Sequence, residues 1–90
     1  MLKVEYTKKF KKEYKKIQKR GFDIQKLKIV VDMLRKQQPL PDKYRNHKLS
    51  GEYANCWECH IEPDWLLIYI IENDILTLTL TATGTHSDLF

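Results

Sequence analysis

The chain has 90 residues, of which 42% are hydrophobic, and carries a net charge of +4. That length implies one domain, residues 1–90, with a modest core and no room for a large internal cofactor pocket, so a site has to be a surface groove. No apolar run approaches the roughly 18 residues of a membrane helix, and charge interrupts the segment Met1-Leu2-Lys3-Val4-Glu5, so neither a membrane span nor a signal peptide is expected. The expected compartment is the cytoplasm, where Cys56 and Cys59 stay reduced.

Leu2, Val4 and Tyr6 alternate with Lys3 and Glu5, the period of a short strand. Thr7 can cap a following helix, in which Phe10, Tyr14 and Ile17 form one apolar stripe and lysines, among them Lys8, Lys12, Lys15 and Lys16, take the other faces. Gly21 ends that helix, and Asp23 caps a second one with Ile24, Leu27, Val30, Val31 and Leu34 at helical spacing. Pro39-Leu40-Pro41 stops it and opens a polar, extended connector from Asp42 to Gly51. Three strands follow: residues around 53–61, the apolar run 65–71 as a strand buried on both faces, and Leu76 to Thr83, whose strict alternation puts Leu toward the helices and Thr toward solvent or a ligand. The tail from Gly84 to Phe90 reads as polar, with an aromatic end. The order β-α-α-β-β-β implies an α+β fold, with a helix hairpin on one face of a small, mainly antiparallel sheet.

Charge is divided along the chain. All 16 Lys and Arg residues lie between Lys3 and Lys48, and every charged side chain beyond them is acidic. A basic half of this density suits a polyanion; it also suits a solvated, Lys-rich helix surface.

Three histidines sit in or beside loops: His47 in the connector, His60 at a strand end and His86 just past the last strand. His60 and Asp64 flank one tight turn. Antiparallel pairing would bring the end of the last strand, and His86, beside Asp64. Imidazoles with pKa near ~6.5 suit acid–base chemistry at neutral pH, and such a set suffices to cleave RNA without a metal. A zinc-type site is the competing use, but no tight ligand spacing appears in the sequence. Cys56-Trp57-Glu58-Cys59-His60 matches the C-x-x-C-H haem attachment pattern. Its strand context puts positions i and i+3 on opposite faces, and no methionine follows it, so no cofactor is expected. Trp65 and Phe90 are candidates for stacking on bases or for core packing.

The segments Asn46-His47-Lys48-Leu49-Ser50-Gly51, Glu58–Tyr69 and Thr83–Phe90 resemble the YafQ-type toxins of the RelE/ParE superfamily. The resemblance implies a RelE-like fold and a toxin–antitoxin function: a ribosome-dependent endoribonuclease acting on mRNA, silenced by a cognate antitoxin with a ribbon-helix-helix dimer. It implies a catalytic set of His47, His60, Asp64 and His86, with Phe90 near the substrate and Trp65 beside the acid. The sequence has no Arg or Lys after Lys48, so phosphate charge falls to the histidines or to Arg45 and Lys48. Lys8, Lys12, Lys15 and Lys16 would lie on ribosomal RNA. The fold alone does not fix the activity; the alternative is a non-catalytic module that occludes gyrase or the ribosome.

Overall fold

Two helix signals hold as the residue types dictate in the computed structural model, which describes all 90 residues. Helix α1, Lys8–Lys19, starts where the Thr7 hydroxyl accepts the Phe10 N–H at 3.0 Å. It ends in a Schellman turn: with Gly21 at φ +83°, the Phe22 N–H reaches Ile17 O and the Gly21 N–H reaches Gln18 O. Helix α2, Ile24–Arg35, is capped by the Asp23 carboxylate, which accepts the Gln25 N–H.

The strands are β1 Lys3–Tyr6, β2 His47–Lys48, β3 Trp57–Glu62, β4 Trp65–Glu72 and β5 Thr77–Gly84. They form one sheet in the order β1-β5-β4-β3-β2, with β1 parallel to β5 and the other pairs antiparallel. Strand β4 is thus central, which is why its first five residues are all buried.

Both helices pack on one face. Phe10 and Ile17 of α1 and Leu27, Val30 and Leu34 of α2 join Cys59, Ile61, Trp65, Leu67, Tyr69, Leu78 and Leu80 in the main core. The opposite face carries a smaller cluster of Cys56, Ile68 and Ala82, flanked by Leu49, Tyr53 and Leu89. Cys56 and Cys59 therefore belong to different faces, and both are free and buried. Burial raises both thiols, Cys59 to about 12.

The structure departs from the sequence reading in four places. The strand expected from Tyr53 begins only at Trp57, because Gly51 (φ +71°) and Asn55 (φ +73°) turn the chain and put Tyr53 in a 3₁₀ turn, Gly51–Tyr53. The polar connector is not merely extended: it holds a 3₁₀ turn, Asp42–Tyr44, and strand β2. The tail forms a one-turn helix, α3, His86–Leu89, closed by a reciprocal capping box between Thr85 and Asp88.

The fourth is the Leu/Thr alternation of β5. Ile68 pairs with Ala82 and Tyr69 with Leu80, so Thr81 is an extra, bulged residue. The phase inverts there: Leu78 and Leu80 face the helices, Ala82 faces away, and Thr83 turns inward.

Candidate active site

The face of the sheet away from the helices gathers the polar chemistry. Strand β3 alternates, so Cys59 and Ile61 enter the main core while Glu58 and His60 point to the other side. Register then adds His47, the partner of Glu58 across β2 and β3. The β3–β4 turn supplies Asp64, and β5 runs antiparallel to β4 so that Gly84 pairs with Leu66 and delivers α3 beside that turn. Gly84 is required there: a Cβ on it would lie 2.9 Å from the Asp88 Cβ.

Three imidazoles line up as a result. The His47 and His60 ring centroids are 6.1 Å apart, and those of His60 and His86 are 5.7 Å apart. Asp64 Oδ1 accepts both the His86 backbone N–H at 3.0 Å and, at 2.9 Å, its Nδ1. A carboxylate only accepts, so Nδ1 carries the proton and Nε2 of His86 is left free to exchange one. The His86 backbone N–H and then its ring hold the Asp64 carboxyl below its ordinary value. Asp88 is likewise lowered, by the Thr85 backbone N–H and then by Arg20, which donates to it at 2.7 Å. Helix α3 is thus tied to the end of α1 as well as to its own cap.

His60 is 8% exposed and lies at the mouth of a groove of about 580 Å³ that it shares with Arg45, Lys43, Lys26 and Pro63. Arg45 therefore supplies a cation on the imidazole side. Lys48 is exposed and pairs with Trp57, so strand alternation turns it to the other side of β2 from His47. Phe90 is 66% exposed, edge-on to Tyr53 at 5.7 Å and 6.5 Å from the His86 ring. Lys8, Lys12 and Lys16 recur every fourth residue along exposed α1, and Lys15 reaches the groove between the helices.

Trp65 requires correction. It is 2% exposed, its indole N–H donates to Thr83 Oγ1 at 3.0 Å, and its ring meets Phe22 edge-on at 5.1 Å. No face remains for a nucleobase, so Trp65 is a core residue that fixes the start of β4 beside Asp64.

Two contributors escaped the sequence reading. Glu58 lies between His47 and His60 and is 4% exposed; its signal was present, since positions 58 and 60 share a strand face. Tyr53 packs against Phe90 only because its segment leaves the sheet. His47, Glu58 and His60 are also the residues that could hold a metal ion, with one ligand atom each, all within 4.8 Å of one another. The absence of tight ligand spacing in the sequence was therefore no argument against a cation site: strand pairing supplies the proximity.

The family profile described as "Bacterial toxin of type II toxin-antitoxin system, YafQ" matches residues 2–90. The chain belongs to the YafQ family. An Escherichia coli relative named mRNA interferase toxin YafQ is 39% identical over 88 residues, covering 97% of this chain and 94% of that protein. Among solved structures, a metal-bound toxin from Helicobacter pylori is 46% identical, with a TM-score of 0.94 and full coverage of both chains. The toxin of an E. coli DinJ–YafQ complex is 37% identical with a TM-score of 0.89, covering 100% of this chain and 99% of that one. The α+β architecture and mainly antiparallel sheet found here are thus those of a YafQ toxin.

Proposed function

We propose that this type II toxin is a ribosome-dependent endoribonuclease that cleaves mRNA by metal-independent general acid–base catalysis. The observation that carries the proposal is the convergence of His47, His60 and His86, with Asp64, on one open face of the sheet. Cleavage begins when the 2′-hydroxyl of the message attacks the adjacent phosphorus. One imidazole accepts the hydroxyl proton, the P–O5′ bond breaks, and a second imidazole donates a proton to the departing 5′-oxygen, leaving a cyclic phosphate. His60 and His86, with rings 5.7 Å apart, are the pair placed to do this. Asp64 orients His86, while His47 and Arg45 supply positive charge for the phosphate and Phe90 offers a ring face to a base.

The E. coli relative is named an mRNA interferase, which supports RNA as substrate. The site borders a surface groove that Lys26, Lys43 and Arg45 line with His60, and a message held there by the ribosome would meet it in one orientation; that ordering would contribute much of the barrier reduction. Lys8, Lys12, Lys15 and Lys16, with Lys48, would contact ribosomal RNA. The DinJ–YafQ complex of E. coli supports an antitoxin as the partner that silences it; the family resemblance implies an acidic antitoxin with a ribbon-helix-helix dimer. A groove of about 590 Å³ between α1 and α2 suits its acidic, amphipathic segment: Val4, Phe10, Leu27 and Val31 form the floor, with Lys11, Lys15 and Lys28 around it.

A second reading is favoured by the His47–Glu58–His60 cluster and by the metal-bound H. pylori toxin. These residues would hold a divalent cation, which supplies positive charge but takes up imidazole nitrogens that acid–base catalysis uses.

Mapping of 5′ ends on one mRNA, with and without programmed ribosomes and with and without a chelator, tests both readings. Codon-registered cuts that need ribosomes and survive chelation are expected. Cuts abolished by chelation would establish the metal reading, and a folded protein that cuts nothing would leave an occluding module.

A further inference from the structure

We propose that helix α1 braces the reaction centre, with Glu13 and Arg20 as the residues that position His86; this rests on the reading of His86 as an acid–base group. Strand β1 pairs with β5 only from Thr77 to Leu80. The second half of β5, which leads to His86, therefore has no strand on its outer side. Helix α1 takes that place. The Thr7 hydroxyl at its start donates to Thr81 O at 2.7 Å, Glu13 Oε1 accepts the Thr83 N–H at 3.1 Å, and Arg20 Nη1 donates to Asp88 Oδ2 at 2.7 Å.

Positions 13, 17 and 20 share one face of a helix. Ile17, between the two charged residues, is 1% exposed and sits in the main core, so this face cannot turn from the sheet without withdrawing it. Thr83 is fully buried, and a backbone N–H there needs an acceptor. Glu13 supplies it, while the Thr83 hydroxyl accepts the Trp65 indole N–H and donates to Leu66 O at 2.8 Å. The end of β5 is thus fixed from α1 and from β4, and Gly84, Thr85 and His86 follow at once. Arg20 holds the next point. The Asp88 oxygen that it meets also accepts the Thr85 N–H at 2.9 Å, so the guanidinium seats the cap of α3. Helix α3 is a single turn, too short to hold its own shape. The distance of the His86 ring from His60, and its bond to Asp64, therefore depend on where β5 ends and how α3 leaves it. Glu13 and Arg20 act on the imidazole through the β5 backbone and through Asp88.

The test compares the full chain with its Glu13→Ala, Glu13→Gln, Arg20→Ala and Arg20→Lys variants, and with His86→Ala as the control. Single-turnover cleavage on programmed ribosomes separates rate from ribosome affinity, urea unfolding checks the fold, and amide NMR reads residues 83–90. Glutamine keeps an oxygen that can accept the Thr83 N–H, and lysine keeps the charge that meets Asp88. The expected result is a rate lower by about 10-fold in each alanine variant, with shifts centred on residues 83–90 and unchanged ribosome affinity. Glu13→Gln should recover most of the rate, and Arg20→Lys part of it. Folded alanine variants that cleave at the wild-type rate, or that lose only ribosome affinity, overturn the proposal. So does a Glu13→Gln protein as slow as Glu13→Ala. Where Glu13→Ala does not fold, a wild-type rate in Arg20→Ala overturns it. A wild-type rate in His86→Ala removes the acid–base reading of His86 itself, whereas an inactive His86→Ala beside full-rate Glu13 and Arg20 variants removes only the brace.

Discussion

The two carboxylate–imidazole pairs of the site are built from different material. Asp64 and His86 are both exposed and are brought together by a β-turn and a one-turn helix, so their geometry depends on caps: the Thr85–Asp88 box and the Arg20–Asp88 ion pair. Glu58 and His60 are buried on one face of β3, where β4 pairs with both and β2 pairs with Glu58. Local hydrogen bonds are easily lost and regained, while a strand moves only with its sheet. One pair is thus adjustable and open to a large substrate, and the other is rigid and shielded.

The largest way to break this comparison is through Trp65, which supports the start of β4 between the two pairs. Trp65→Ala is expected to cost about 3–5 kcal/mol of stability, measured by urea unfolding, and activity should fall with the folded fraction. Nearly unchanged stability would show that the burial of Trp65 does not anchor the turn. Asp64→Asn comes next. It keeps the fold but removes the charge that orients His86, so cleavage should drop by about 10²-fold while the urea midpoint stays put. An equal loss of stability would mean that Asp64 is structural rather than part of the reaction.

The smallest effect is that of acid. Asp64 and Asp88 both have folded-state values below the ordinary carboxylate value. Each therefore stabilises the folded α3 corner fully above about pH 4, its unfolded value, and loses that contribution as pH falls through its lower folded value. On acidification the α3 amides should lose hydrogen-exchange protection before Leu67 in the sheet does. Simultaneous loss would show that the corner and the sheet unfold as one unit.

Local chemistry was legible without coordinates wherever it depended on neighbours in sequence. Thr7 and Asp23 cap helices because their side chains reach backbone N–H groups two or three residues on, and Gly21 adopts the positive φ that a Schellman turn needs. The stripe of Phe10 and Ile17 had to face a core, and the apolar run from Trp65 had to be the central strand. Asp64 beside His86 followed from one hairpin and one antiparallel pairing.

What the tertiary structure alone decided concerns register and phase. The bulge at Thr81 adds one residue to β5 and so exchanges the faces of everything after it. That turns Thr83 inward to meet the Trp65 indole and takes Trp65 out of reach of any base. The pairing of His47 with Glu58 needs a two-residue strand inside a polar connector, too short to leave a period in the sequence. Tyr53 meets Phe90 only because two positive-φ residues lift its segment off the sheet. The sequence by itself determined which residue types carry charge and protons, because that is chemistry each side chain brings with it. Which of them face one another was left to the sheet, because a shift of one residue in a strand reverses the direction of every side chain beyond it.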